Sequence, residues 1–383
     1  MDNNNKPICP YAKKCSGCQL QNMDYQRQLR FKQAQVVKLL GRFHRVANII
    51  GMDDPTHYRN KVQAAFGERG GKLISGVYQS STHRIVPVDE CMIEDKIADS
   101  IIVTVRKLAQ SFKMRAYNPT AKRGFLRHVL VKRGFVSGQV MVVLVTADGD
   151  FPSQRSFVNA LLGKHPEITT IVRNINIKHT NLLLGERSQV LFGEGYIEEQ
   201  LCQKTFRISP KAFYQVNPYQ TQVLYSKAVE FAQLDGSQTV IDAYCGTGTI
   251  GIIMSDKAKQ VIGVELNKDA VKDAKFNAAK NGVKNIRFYC ADAGEFMREL
   301  AEENEQIDVV VTDPPRAGCS REFLDSVVKL SPKRVVYVSC NPVTLARDLS
   351  YITRHGYKVK KIQPVDMFPF TEHVECVCLL SRK

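Results

Sequence analysis

The most constraining feature of the chain is a unit repeated five times in its second half: a short apolar run, a turn bearing glycine or a carboxylate, then a stretch long enough for a helix. The runs are residues 239–242, 261–265, 286–290, 309–313 and 335–339. Short, mostly Val- and Ile-rich runs of this kind read as buried parallel strands, which need helical crossovers between them. The expected fold of residues 206–383 is therefore α/β, a doubly wound Rossmann-like sheet that binds its ligands at the carboxyl ends of the strands.

Upstream the rhythm changes. Residues 72–78, 127–132 and 139–146 are β-patterned, and Gly134 and Gly138 bracket a hairpin turn, so residues 52–205 read as an α+β middle domain. Residues 1–51 carry a cysteine cluster followed by a linking helix over about 25–43. No apolar run reaches the ~20 residues of a membrane span, and the opening Met1 to Lys6 has no apolar signal region. Eleven cysteines at uneven spacing argue against a disulfide framework and for a reducing, cytoplasmic setting. The 54 Lys and Arg against 38 Asp and Glu, a formal +16, favour a polyanionic partner through counterion release.

The first strand runs into Asp242-Ala243-Tyr244-Cys245-Gly246-Thr247-Gly248-Thr249, where glycines let the backbone approach a ligand and a helix start offers free N–H groups. Glu265 ends the next strand 23 residues after Asp242, placed to accept ribose hydroxyls. The third glycine of a dinucleotide turn is missing, which disfavours NAD and leaves S-adenosylmethionine, a nucleoside cofactor without phosphate. Asp292, after the third strand, is placed to reach an adenine edge.

Strand four ends in Asp313-Pro314-Pro315-Arg316 and strand five in Ser339-Cys340-Asn341-Pro342. Cys340 at the mouth of a cofactor cleft is placed as a nucleophile, and Glu375, in the strand-like segment 368–375, as a base. A thiolate and one carboxylate are the minimum set for methylating carbon-5 of uracil. An exocyclic-amine methyltransferase would need an aromatic residue after the two prolines, where Arg316 stands. A cytosine-C5 enzyme would need a cysteine directly after the proline, but Cys319 lies further on. A non-catalytic RNA-binding module would not need Cys340 and Glu375.

These segments, with Phe213-Tyr214-Gln215-Val216-Asn217-Pro218 and 368–375, occur in one order through the C-terminal half. The chain here resembles the RNA 5-methyluridine methyltransferase family, whose bacterial members act on 23S ribosomal RNA (RumA-like) or tRNA (TrmA-like). The resemblance implies Cys340 as nucleophile, Glu375 as base, and Gln215, Tyr244, Glu265 and Asp313 as contacts to S-adenosylmethionine, with Asp292 and Thr249 nearby.

Cys9, Cys15, Cys18 and the distant Cys91 offer the four thiolates of a zinc site or an iron–sulfur cluster. Resemblance to the ribosomal members implies a [4Fe-4S] cluster there and 23S rRNA as the partner, with tRNA the alternative. Only eight residues precede Cys9, so the N-terminal TRAM barrel of RumA is expected to be absent. From Arg106 to Arg133 lie nine Lys or Arg and no acid, interleaved with Phe112, Tyr117 and Phe125; this mix is expected to meet RNA phosphates and unstacked bases.

Overall fold

In the computed structural model, which describes residues 9–80, 82, 84–178 and 182–383, the first helix is α1 (Tyr25–Leu40), started by Asp24, whose carboxylate accepts from the Arg27 amide. Its Val36 and Leu40 are fully buried in the hydrophobic core of the C-terminal sheet. The helix expected over 25–43 thus forms, and residues Met23–Asp54 group with the C-terminal unit rather than with the cysteines.

The other unit comprises residues 9–22, Pro55–Gln200 and Arg207–Lys211. Among the described residues, seven strands form its sheet: β1 (Lys61–Arg69), β2 (Lys72–Tyr78), β3 (Ile85–Pro87), β4 (Leu126–Arg133), β5 (Val140–Thr146), β6 (Ile168–Ile175) and β7 (Arg187–Phe192). Their order is β3-β2-β1-β4-β5-β6-β7. All pairs are antiparallel except β5 with β6, which are joined through α3 (Gln154–Lys164). Helix α2 (Lys96–Ser111) lays Ile101, Ile102, Val105 and Leu108 into the same core as Val129, Val131, Val142 and Leu144. This is the α+β architecture expected upstream, and Gly134 and Gly138 close the β4–β5 hairpin.

Strands β8 (Ile197–Leu201) and β9 (Lys204–Ile208) carry the chain onward to α4 (Pro218–Ala232), capped by Asn217. Then come β10 (Thr239–Ala243), α5 (Thr249–Met254), β11 (Gln260–Glu265), α6 (Lys268–Lys280), β12 (Ile286–Cys290), α7 (Ala293–Glu302), β13 (Val309–Thr312), α8 (Arg321–Leu330), β14 (Arg334–Ser339), α9 (Pro342–Arg354), β15 (Tyr357–Val365) and β16 (Glu375–Arg382). The sheet order is β12-β11-β10-β13-β14-β16-β15. The five expected strands are parallel, and the order reverses at β10, the point where such sheets open a ligand crevice. β16 inserts antiparallel between β14 and β15. Segment 368–375 is therefore mostly a turn, and only its last residue, Glu375, enters the strand.

Candidate active site

β10 delivers the chain into the glycine turn at the switch point. Tyr244, Gly246 and Gly248 all have positive φ, at 62°, 55° and 79°. That conformation costs a glycine little and an aromatic residue about 1–3 kcal/mol, which marks strain held at a functional turn. A Cβ on Gly246 would meet nothing within 4 Å, whereas one on Gly248 would lie 2.8 Å from the Phe288 ring. One glycine leaves room against the backbone, and the other packs the turn onto β12.

Asp242 is fully buried. Its Oδ2 accepts from the Gly251 amide at 2.7 Å, while its Oδ1 is buried without a hydrogen-bond partner among the described residues. Burial pushes this carboxyl up to about 7, with Asp313 and Glu265 adding to the rise against the pull of the Gly251 amide. Glu265 accepts from the Gly246 amide at 3.1 Å and the Asn267 amide at 2.8 Å, so it ties the turn to the end of β11. Asp292 is exposed and caps α7 through Oδ1, from the Gly294 amide at 2.8 Å; burial first, then the Cys319 and Asp292 charges, push the Tyr244 phenol up. Gln215 and Thr249 both hydrogen-bond Tyr225, a buried phenol near Asp313 and Asp242. Tyr225, on the inner face of α4, was not singled out in the sequence, because nothing local distinguishes it from a core tyrosine. An open-faced glycine turn, a buried carboxylate oxygen lacking a partner and an acid at the second strand end suit a polar nucleoside such as S-adenosylmethionine.

The other half of the site lies on β13, β14 and β16. β14 and β16 pair Ser339 with Cys376, which puts Cys340 and Glu375 next to each other in the register at the sheet's carboxyl end. Glu375 is buried, and burial followed by the Asp313 charge pushes its carboxyl up to about 8, while Arg316 pulls it down. Burial also raises half-buried Cys340 to about 11; Glu375 and Asp313 add to the rise and Arg316 opposes it. Burial alone moves Asp313 to about 7. Arg316 is thus a cation that serves this cluster. Its loop is held by α9: Asn341 Nδ2 and Thr344 Oγ1 donate to the Arg316 carbonyl at 3.1 and 3.2 Å.

The cysteines expected to hold a cluster lie in the other unit. Burial, then the Cys15 and Cys9 charges, raise the Cys18 thiol to about 12. Burial also raises the Cys91 thiol, with Glu94 adding. Among the described residues, however, no group of three or more His, Cys, Asp or Glu is arranged to hold a metal ion. The side chains as they stand do not form a closed donor set.

The basic run is also less free than its sequence suggests. Arg106 pairs with Asp89, Arg115 with Glu68 and Arg133 with Asp95. Arg127 donates to the Asn176 and Lys178 carbonyls, and buried Lys132 donates to the Ser209 carbonyl. Phe112 and Phe125 pack on the core. Lys107, Lys113, Lys122 and Arg123 remain exposed.

Sheet order, switch-point turn and strand-end acids together are those of an α/β fold that binds a nucleoside cofactor. Residues 24–383 match the family model described as tRNA (uracil-5-)-methyltransferase, and the chain belongs to that family. It is 46% identical over 380 residues to an RNA methyltransferase of Halalkalibacterium halodurans, covering 98% of this chain and 83% of that protein. With one from Clostridium acetobutylicum it shares 43% over 384 residues, 98% of this chain and 84% of the other. Among solved structures, the Pyrococcus abyssi tRNA (uracil-54, C5)-methyltransferase in complex with S-adenosyl-L-homocysteine superposes with a TM-score of 0.79 at 28% identity, covering 95% of this chain and 86% of that one. The protein is an S-adenosylmethionine-dependent RNA methyltransferase.

Proposed function

We propose that the protein methylates carbon-5 of a specific uridine in 23S ribosomal RNA, with Cys340 as nucleophile and Glu375 as base. The observation that supports this reading is the β14–β16 register, in which Ser339 pairs with Cys376 and Cys340 and Glu375 take the next positions. Gln215, Tyr244, Glu265, Asp292 and Asp313 would hold S-adenosylmethionine, which would supply an electrophilic methyl group. Cys340 loses its proton to solvent, and its thiolate adds to carbon-6, forming a C–S bond and moving the ring electrons toward carbon-5. Carbon-5 would then take the methyl group, a C–C bond forming as the donor's S–CH3 bond breaks. Ionised Glu375 then removes the carbon-5 proton, the C5=C6 bond re-forms and the Cys340 thiolate leaves. Arg316 favours the anionic form of both groups. The uridine has to leave its stack to reach Cys340, so a loop or hairpin suits the site.

The ribosomal target is supported by the cysteine pattern of the chain, and tRNA is the alternative named by the archaeal structure. Cys9, Cys15, Cys18 and Cys91 are the proposed ligands of a [4Fe-4S] cluster, a reading supported by their pattern in the sequence and not by the arrangement of the described side chains; no catalytic step runs through them. The middle domain, with Lys107, Lys113, Lys122 and Arg123, is the proposed RNA-binding part. Among the described residues no helix is long and apolar enough to cross a membrane; the cytoplasm is the proposed location. Labelled S-adenosylmethionine incubated with 23S rRNA and tRNA transcripts, followed by nucleoside mass spectrometry, tests the reading. Label in 5-methyluridine of 23S rRNA is expected; label only in tRNA would move the target, and label in a methylated adenosine would refute the chemistry.

A further inference from the structure

The turn between β15 and β16 ends on Glu375, and its backbone is gripped by side chains from far away in sequence. Lys32 of α1 pairs with Asp366 at 2.6 Å, both side chains 0% exposed, and Lys32 Nζ also donates to the Phe368 carbonyl at 3.0 Å. Gln28, one turn earlier on the same face of α1, accepts from the Phe370 amide at 2.8 Å. Phe370 has φ 68°, a conformation that a bulky residue keeps only where its surroundings impose it. From the other side, Asn217 and Gln220 of α4 donate to the Met367 and Asp366 carbonyls at 2.9 and 3.0 Å. Across the ladder, Val365 pairs with Glu375, so the held turn begins and ends beside the base.

A buried ion pair is a costly way to stabilise a fold, since two apolar residues of similar shape do as well or better. Its presence here, aimed at one turn, calls for a positional explanation. We infer that Lys32, Asp366 and Gln28 are positioning residues, which fix the 366–374 turn and thereby hold the Glu375 carboxylate where it can take the carbon-5 proton. Lys32 is absent from the charges that act on Glu375, which are Asp313 and Arg316; it therefore acts on the base through geometry. A displacement of about 1 Å at a reacting group costs on the order of 100-fold in rate. The loss should fall on the last step alone, because addition by Cys340 and methyl transfer do not use Glu375.

This inference rests on the roles given above to Cys340 and Glu375. The test uses the full-length protein with two changes: the pair replaced together, Lys32→Met with Asp366→Leu, and separately Gln28→Leu. The double replacement removes both charges at once and so leaves no lone buried charge; should it fail to fold, Gln28→Leu, which removes the acceptor of the Phe370 amide and the donor to the Met23 carbonyl, carries the test. Each is assayed with S-adenosylmethionine on two RNAs. On RNA carrying 5-fluorouracil, where no carbon-5 proton exists to remove, trapping should match the wild type. On ordinary RNA, turnover should fall on the order of 100-fold, and a methylated enzyme–RNA adduct should accumulate, as it should in Glu375→Gln. Folded variants that turn over like the wild type, or that lose trapping and turnover together, overturn the positioning role. Failure of the wild type itself to trap 5-fluorouracil RNA would instead sink the Cys340 assignment on which the inference stands.

Discussion

Replacing Glu375 by Gln should make the protein more stable while stopping turnover. The carboxyl is 3% exposed and is pushed from an ordinary 4.5 up to about 8, first by burial and then by the Asp313 charge, with Arg316 only partly offsetting. Because the folded pKa is raised, the native state holds its proton longer than the unfolded chain does. The penalty is thus absent below pH 4.5, grows as pH rises through the window, and is complete above about pH 8. A displacement of that size corresponds to a penalty of about 5 kcal/mol once the group is fully ionised. Glu375→Gln, which keeps the shape and removes the charge, should recover most of it. Urea unfolding of wild type and variant at pH 4.5 and at pH 8.5 measures this directly. The curves should nearly coincide at the lower pH and separate by several kcal/mol at the higher. Turnover should meanwhile drop about 10²–10⁴-fold, the range for loss of a general base. Equal stabilities at both pH values would refute a buried, ionisable base at this position.

Three further outcomes follow from the same geometry. Arg316→Met should move adduct formation to higher pH, since Arg316 opposes the rise of both Cys340 and Glu375; a pH series of 5-fluorouracil RNA trapping reads the shift. Gly248→Ala should cost ~1–3 kcal/mol, because φ is 79° and the new Cβ would lie 2.8 Å from the Phe288 ring; calorimetry should show weakened S-adenosylmethionine binding. Anaerobically purified protein should contain iron and sulfide and absorb in the visible, and Cys18→Ser should lose both; zinc alone, or no metal, would refute the cluster.

The half of the site on consecutive strand ends was legible in the sequence because it is local. Asp242, Glu265, Asp313 and Cys340 each follow an apolar run, and a doubly wound sheet gathers such positions at one edge. Glu375 was assigned correctly to that sheet, but the position of β16 between β14 and β15 was not visible, since antiparallel insertion leaves no mark in periodicity. Tyr225 and the Lys32–Asp366 pair were hidden for another reason. The members of the ion pair lie 334 residues apart and a lysine on a polar helix reads as solvated, while Tyr225 looks like any core tyrosine until Gln215 and Thr249 are seen to hydrogen-bond it. The basic run errs in the opposite direction: its charges look free in sequence, yet five of the nine are engaged by acids or carbonyls of their own unit.

The most direct test of the chemistry is to map the covalent attachment itself. Wild-type protein, S-adenosylmethionine and a 23S transcript containing 5-fluorouracil are incubated, digested with protease and nuclease, and analysed by mass spectrometry. The account predicts one modified peptide, containing Cys340 and carrying a methylated fluorouridine, and none from Cys340→Ala. Attachment through Cys319, Cys245 or any other residue, or an adduct that persists in Cys340→Ala, would contradict it.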